Sequence, residues 1–196
     1  VGPYDLRAGV TDSDGNFSGY RVFPSAVRVL NNIPTAPAVR IVPADPVTTS
    51  TLIVEIVTPS TDVETTALTY HFAWYRDGTL VDAATGDSLN AGLTSKGENW
   101  SVLVRAFDGL DEGPAGSAWA VIGNSGPLVK AALPNVEMPE DTVDSMSIDL
   151  SRAFEDPDGD ALAFSVSPAP QHIHVTIDPA TGRVTLRPEA NWNGQE

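Results

Sequence analysis

The chain of 196 residues contains no cysteine, and its only lysines are Lys96 and Lys130. Without thiols it forms neither disulfides nor thiolate metal sites, although this does not place it inside a cell, because many microbial surface repeats lack cysteine too. Positive charge is scarce overall. Against 26 Asp and Glu stand 11 Lys and Arg, giving a net charge of -15 and a pI near 4.3. Nucleic acid and anionic membrane surfaces are repelled by such a chain, whereas divalent cations are its natural counter-ions. No apolar run approaches the roughly 18 residues that a membrane span needs. The start, Val1-Gly2-Pro3-Tyr4, has neither a basic nor an apolar signal region, so any export signal or anchor is expected outside these residues. A nucleophile elbow, a P-loop, a zinc motif and a dinucleotide fingerprint are also missing. Carboxylates abound but fall in turns, which disfavours a glycosidase. The chain is therefore expected not to be an enzyme.

What is present is turn chemistry and alternation. The chain has 16 Gly and 16 Pro, with a 41% hydrophobic share sufficient for folded cores. Leu52, Val54 and Ile56 alternate with Ile53, Glu55 and Val57. Leu68, Tyr70, Phe72 and Trp74 form a period-two stripe that ends in the turn Arg76-Asp77-Gly78. Further strands are predicted at residues 100–106, 119–122, 146–150, 162–166, 173–177 and 184–186, the last two joined by Asp178-Pro179-Ala180-Thr181-Gly182. Nothing of similar length has helical spacing. The expected fold is all-β, built of antiparallel sandwiches with Trp74 at the centre of one core.

The run Tyr4, Leu6, Ala8, Val10, Asp12 recurs as Trp100, Val102, Val104, Ala106, Asp108. Each copy is followed by an acidic Gly-containing turn, another apolar strand and an Asn- and Pro-bearing junction: Asn31-Asn32-Ile33-Pro34 and Asn124-Ser125-Gly126-Pro127. The repeat implies three parts. Residues 1–31 read as the last two strands of a preceding or partner sandwich, 32–124 as a complete one, and 125–196 as one lacking its last strands. A lone hairpin is marginal and exposes an edge. Residues 1–31 are therefore expected to pack against a neighbouring repeat, or against another copy by strand complementation. Such arrays usually build length and spacing.

Asp156-Pro157-Asp158-Gly159-Asp160 places three carboxylates in one turn. Calcium takes about six to eight oxygens from flexible acidic loops of this kind, and Glu140 and Asp141 are candidates to add more. The competing reading is a solvated acidic turn. Weaker candidates are Asp12 with Asp14, Asp62 with Glu64, and Asp108 with Asp111 and Glu112. An EF-hand is excluded, since the downstream glutamate and helical frame are missing. A bound cation would stiffen a junction by bridging carboxylates that otherwise repel, and Pro34-Thr35-Ala36-Pro37 offers stiffness without an ion. His172 and His174 share a strand face, but neither they nor His71 is assigned a role. Asn16-Phe17-Ser18 and Asn99-Trp100-Ser101 match the N-glycosylation sequon, with Asn16 the more accessible.

The stretch from Asn32-Ile33-Pro34-Thr35-Ala36-Pro37 through Trp74-Tyr75-Arg76-Asp77-Gly78 and Lys96-Gly97-Glu98-Asn99-Trp100 to Asp108-Gly109 resembles the Ig-like and fibronectin-like repeats of bacterial and archaeal surface proteins. The stretch with Pro139-Glu140-Asp141-Thr142, Ile148-Asp149-Leu150-Ser151, the 156–160 run, Thr181-Gly182 and Asn191-Trp192-Asn193-Gly194 resembles the cadherin-like repeats of prokaryotic adhesins. The resemblance implies calcium-rigidified extracellular repeats, with an aspartate such as Asp12 of a neighbouring copy completing the 125–196 sandwich. The expected role is a stalk, surface-layer or filament segment at the cell surface. The alternative is an accessory carbohydrate-binding module, for which Trp119 and Trp192 are the candidate aromatics.

Overall fold

The computed structural model describes residues 4–27 and 30–196, with side chains for 5–24 and 30–196. Antiparallel strands dominate, and the expected all-β class is what the chain adopts. Its contacts divide it into two compact units. One comprises Val1–Val42, Ile53–Ser88 and Trp100–Trp119, and the other Pro43–Leu52, Leu89–Asn99 and Ala120–Glu196.

In the first unit, β1 (Tyr4–Thr11) and β2 (Phe17–Val27) form a two-stranded hairpin with Leu6 opposite Phe23 and Gly9 opposite Tyr20. Asp12 and Gly15, the latter at φ +84°, close its turn. The Phe17 ring lies over Gly9, where a Cβ would come within 2.6 Å of it, and it meets Tyr20 edge-on at 4.8 Å. Every described side chain of the hairpin, residues 5–24, is exposed.

After the hairpin, β3 (Ala38–Val42) pairs with β4 (Leu52–Thr58), Ile41 opposite Val54. β5 (Thr69–Arg76) turns into β6 (Thr79–Leu80) through Asp77 and Gly78, both at positive φ, as a two-residue hairpin turn requires. β7 (Ser88–Leu89) extends the β3–β4 sheet, while β8 (Asn99–Phe107) and β9 (Gly116–Val121) extend the other in the order β6-β5-β8-β9. Alternation on β5 and β8 buries Trp74, Val102, Val104 and Ala106 completely. The Trp74 indole satisfies its N–H by donating to Gly86 O at 2.9 Å. Pro34 and Pro37 of the linker are also buried. Gly116 and Gly113 let that linker approach: a Cβ on Gly116 would stand 2.0 Å from Pro37 O, and one on Gly113 2.3 Å from Pro34 O.

In the second unit, β10 (Leu128–Val129) pairs with β11 (Phe154–Glu155), and β12 (Ile173–Ile177) with β13 (Val184–Pro188). The 178–182 turn closes as expected, with Gly182 at φ +70° donating to Asp178 O. Two expected strands do not form. Residues 146–150 run beside β13 without a continuous ladder: Asp144 bridges to Leu186 of β13, Asp149 bridges to Arg183 just before it, and Ile148 O accepts Val184 N at 3.1 Å. Between them Asp144 Oδ1 accepts Met146 N and Ser147 N, both at 2.9 Å, and this side-chain turn replaces ladder bonds. Leu150 then opens the short helix α1 (Leu150–Ala153), capped by Asp149. Residues 162–166 keep partial alternation, Leu162 and Phe164 half-buried, yet pair with no strand among the described residues.

Candidate cation-binding turns

Asp156 organises the 156–160 turn. Its Oδ1 accepts Asp158 N at 2.8 Å and Asp160 N at 3.2 Å, its carbonyl accepts Gly159 N, and Gly159 supplies φ +75°. This local wiring draws the three carboxylates together, so that one oxygen of each lies within 4.8 Å of the others. Hard oxygen donors at such spacing suit calcium chemistry. Asp158 Oδ2 also accepts Ser125 N at 2.6 Å, tying the turn to the Asn124-Ser125 linker.

Lys96 completes the cluster. Its Nζ donates to Asp160 Oδ1 at 2.7 Å, Asp160 Oδ2 at 2.8 Å and Asn124 Oδ1 at 3.0 Å. The Asp160 hydrogen bond, followed by the charges of Asp160, Asp158 and Asp156, holds the ammonium above its ordinary pKa. The acidic pattern of the sequence did not point to this residue. The available signal was that Lys96 is one of two lysines and stands within the Lys-Gly-Glu-Asn turn.

Glu140 and Asp141 do not join this cluster. Asp141, at φ +61°, instead accepts Asn191 N at 2.9 Å, and Glu140 lines a groove of about 700 Å³ with Ile148, Ile173, Leu186 and Trp192.

The first linker repeats part of the arrangement. Asp62 Oδ1 accepts Glu64 N at 2.8 Å and Thr65 N at 2.9 Å, and Asn32 Nδ2 donates to Glu64 Oε1 at 2.6 Å. Asp62 Oδ2 is buried with no hydrogen-bond partner among the described residues. Nearby, Asn31 Nδ2 donates to Asp108 Oδ2 at 2.7 Å and Asp111 Oδ2 at 3.2 Å. Glu112 is directed elsewhere, to His71 Nδ1 at 2.6 Å. Asp108 is held below the ordinary carboxylate range first by the Asp111 N–H and then by Asn31.

In the hairpin, Asp12 accepts Asp14 N, Asn16 N and Asn16 Nδ2, and the Asn16 side chain is the leading cause of its lowered pKa. Asp14 contributes its backbone N–H to that turn. His172 bonds Glu189 and stacks on half-buried Trp192 at 5.3 Å, while His174 is exposed. Trp119 is 71% exposed.

Antiparallel sheets around buried tryptophans, with acidic turns at the linkers, define an Ig-like β-sandwich class of structural module. Residues 124–196 match the family model of the bacterial Ig domain. That fold is non-catalytic and is usually found in extracellular or surface proteins. The match falls on the stretch whose acidic motifs resemble cadherin-like repeats, and supports its likeness to Ig-like repeats. No curated protein and no solved structure matches the chain. Among the described residues no helix is long and apolar enough to cross a membrane.

Proposed function

We propose that the chain is a non-enzymatic spacer segment of an extracellular microbial surface protein, a stalk, surface-layer or filament element of tandem sandwiches stiffened by calcium. The observation that carries this reading is the repeated wiring of the linkers: Asn32 to Glu64 beside Asp62, and Ser125 to Asp158 beside Asp156. Two linkers tied alike to acidic turns suit an array whose task is fixed spacing. Asp156, Asp158 and Asp160 are the principal calcium ligands, and the unpartnered Asp62 Oδ2 offers a second point of binding. Calorimetric titration with calcium chloride tests this. Heat in the micromolar to millimolar range, lost in D156N/D158N, is expected, and no heat up to tens of millimolar contradicts it.

Neighbouring repeats or copies cover the hairpin by strand complementation. The exposed Leu6, Phe17, Tyr20, Val22 and Phe23 support this part of the reading. Sedimentation velocity is expected to show concentration-dependent association that F23D weakens, and a strictly monomeric chain at millimolar concentration contradicts self-complementation.

The exposure of Trp119 favours a second reading, an accessory carbohydrate-binding module. Retention of the chain on polysaccharide, abolished by W119A, would favour it over a pure spacer.

A further inference from the structure

Alternation decides which side chains share the outer face of the β6-β5-β8-β9 sheet. β5 buries Trp74, β8 buries Val102 and Val104, and β9 buries Gly116 and Ala120, so Tyr75, Ser101, Leu103, Ser117 and Trp119 point the other way. Leu80 pairs with Tyr75, and Tyr75 with Ser101. The bond from Ile122 N to Glu98 O sets the register of β9 on β8, and counting three residues along each strand from it places Trp119 opposite Ser101. One row therefore crosses all four strands: Leu80, Tyr75, Ser101, Trp119. Its two aromatics are rooted two strand spacings apart, about 9–10 Å, and the short serine between them leaves the space over the row open. Trp119 is 71% exposed.

Charge and area select what lies on this row. The chain carries a net charge of -15, yet none of the outward residues of the four strands is acidic. His71, with its partner Glu112, and Arg105 stand opposite each other at the far end of the face. A polyanion is repelled by the chain as a whole, and an uncharged row holds a cation less well than the acidic turns elsewhere. The uncharged stretch, with Ala73, Leu103 and Ser117 added to the row, covers roughly 300 Å² at a strand spacing of about 4.8 Å and a rise of about 3.4 Å per residue. That is well below the about 800 Å² per partner of a stable protein interface. An uncharged ligand with flat apolar faces and hydroxyl edges suits both limits, because aromatic rings take its faces and serine hydroxyls its edges.

From this geometry we infer that the Tyr75-Ser101-Trp119 row is a platform for a neutral, extended polysaccharide. The inference rests on the carbohydrate-binding reading and names the ligand class and residues of that site. Sugar rings lie with their C–H faces on Trp119 and Tyr75, and their hydroxyls meet Ser101 and Ser117.

The test is native affinity electrophoresis of the full chain as wild type, W119A, Y75A and V63A, in gels holding hydroxyethyl cellulose, galactomannan or polygalacturonate. Val63 lies outside the sheet and is 85% exposed, so V63A controls for loss of an exposed apolar side chain. At least one neutral polymer is expected to retard wild type and V63A alike, with W119A roughly tenfold weaker and Y75A weaker than wild type. Polygalacturonate is expected to retard none of them. Stronger retardation by polygalacturonate than by the neutral polymers overturns the neutral ligand while leaving the carbohydrate reading standing, and retardation that W119A and Y75A both retain overturns this site. No retardation in any gel overturns the carbohydrate reading and this inference with it. Self-association of wild type that W119A abolishes, read by sedimentation velocity, makes the face a protein interface and overturns the inference as well. Trp119 is exposed, so W119A is expected to fold, and matching far-ultraviolet circular dichroism spectra verify this.

Discussion

Asn32 Nδ2 donates to Glu64 Oε1 at 2.6 Å, and the next linker places Ser125 N on Asp158 Oδ2 at the same distance. The donors differ, one a side-chain amide and one a backbone N–H, yet each fastens a linker residue to the second acid of an Asp-x-acid turn. In both turns the leading aspartate spends one oxygen on backbone N–H groups, which frees the second acid to face the linker.

That division of labour predicts unequal costs in the first linker. E64A removes one exposed contact and is expected to change stability by less than about 0.5 kcal/mol. D62A removes the acceptor of two backbone N–H groups and is expected to cost about 1–2 kcal/mol. Urea denaturation of both variants checks the order, and an equal cost contradicts it.

The close approach of Gly116 to Pro37 O, 2.0 Å from a notional Cβ, leaves no room for a side chain. Gly116→Ala is expected to destabilise the fold by about 1–3 kcal/mol through displacement of the linker. Gly126, whose surroundings are open, is the contrasting position, and Gly126→Ala is expected to leave the thermal midpoint nearly unchanged.

Trp74 is fully buried and hydrogen-bonded to Gly86 O. Trp74→Ala is expected to cost about 3–5 kcal/mol, and Trp74→Phe less, but more than its volume change alone implies because Gly86 O loses its donor. Chemical denaturation monitored by circular dichroism measures both.

Acid is expected to weaken the second unit in a defined window. Asp144, Asp149 and Asp178 lie below the ordinary value of 3.8, chiefly because the hydroxyls of Ser147, Ser151 and Thr181 donate to them. Depressed folded-state values mean that their stabilisation is fully present above the unfolded pKa and is lost as pH falls through the folded one. The thermal midpoint is therefore expected to fall from about pH 4 downward. The triple substitution to asparagine is expected to flatten that decline.

The sequence made the regular strands readable wherever one face is buried. Trp74, Val102 and Val104 alternate because the pleat sends every second side chain inward, and Asp77-Gly78 is a hairpin turn by composition alone. Residues 146–150 misled because their apolar period is real, while the competing bond acceptor, Asp144, lies just before them and takes Met146 N and Ser147 N. The acidic turn at 156–160 was legible from spacing. Its cationic partner was not, because Lys96 reaches Asp160 through tertiary structure and no local pattern relates the two. Glu140 and Asp141 were placed near that turn by motif, whereas Asp141 is committed to Asn191.

The proposed spacer role requires stiff linkers, and the absence of cysteine from the chain makes a direct distance measurement clean. Exposed Ser117 and Thr176, on β9 and β12, can be changed to cysteine and spin-labelled, and pulsed electron paramagnetic resonance then reads the distance between them with calcium or with chelator. A single narrow distribution in calcium that broadens on chelation is the predicted result, and a broad distribution unchanged by calcium would contradict the account.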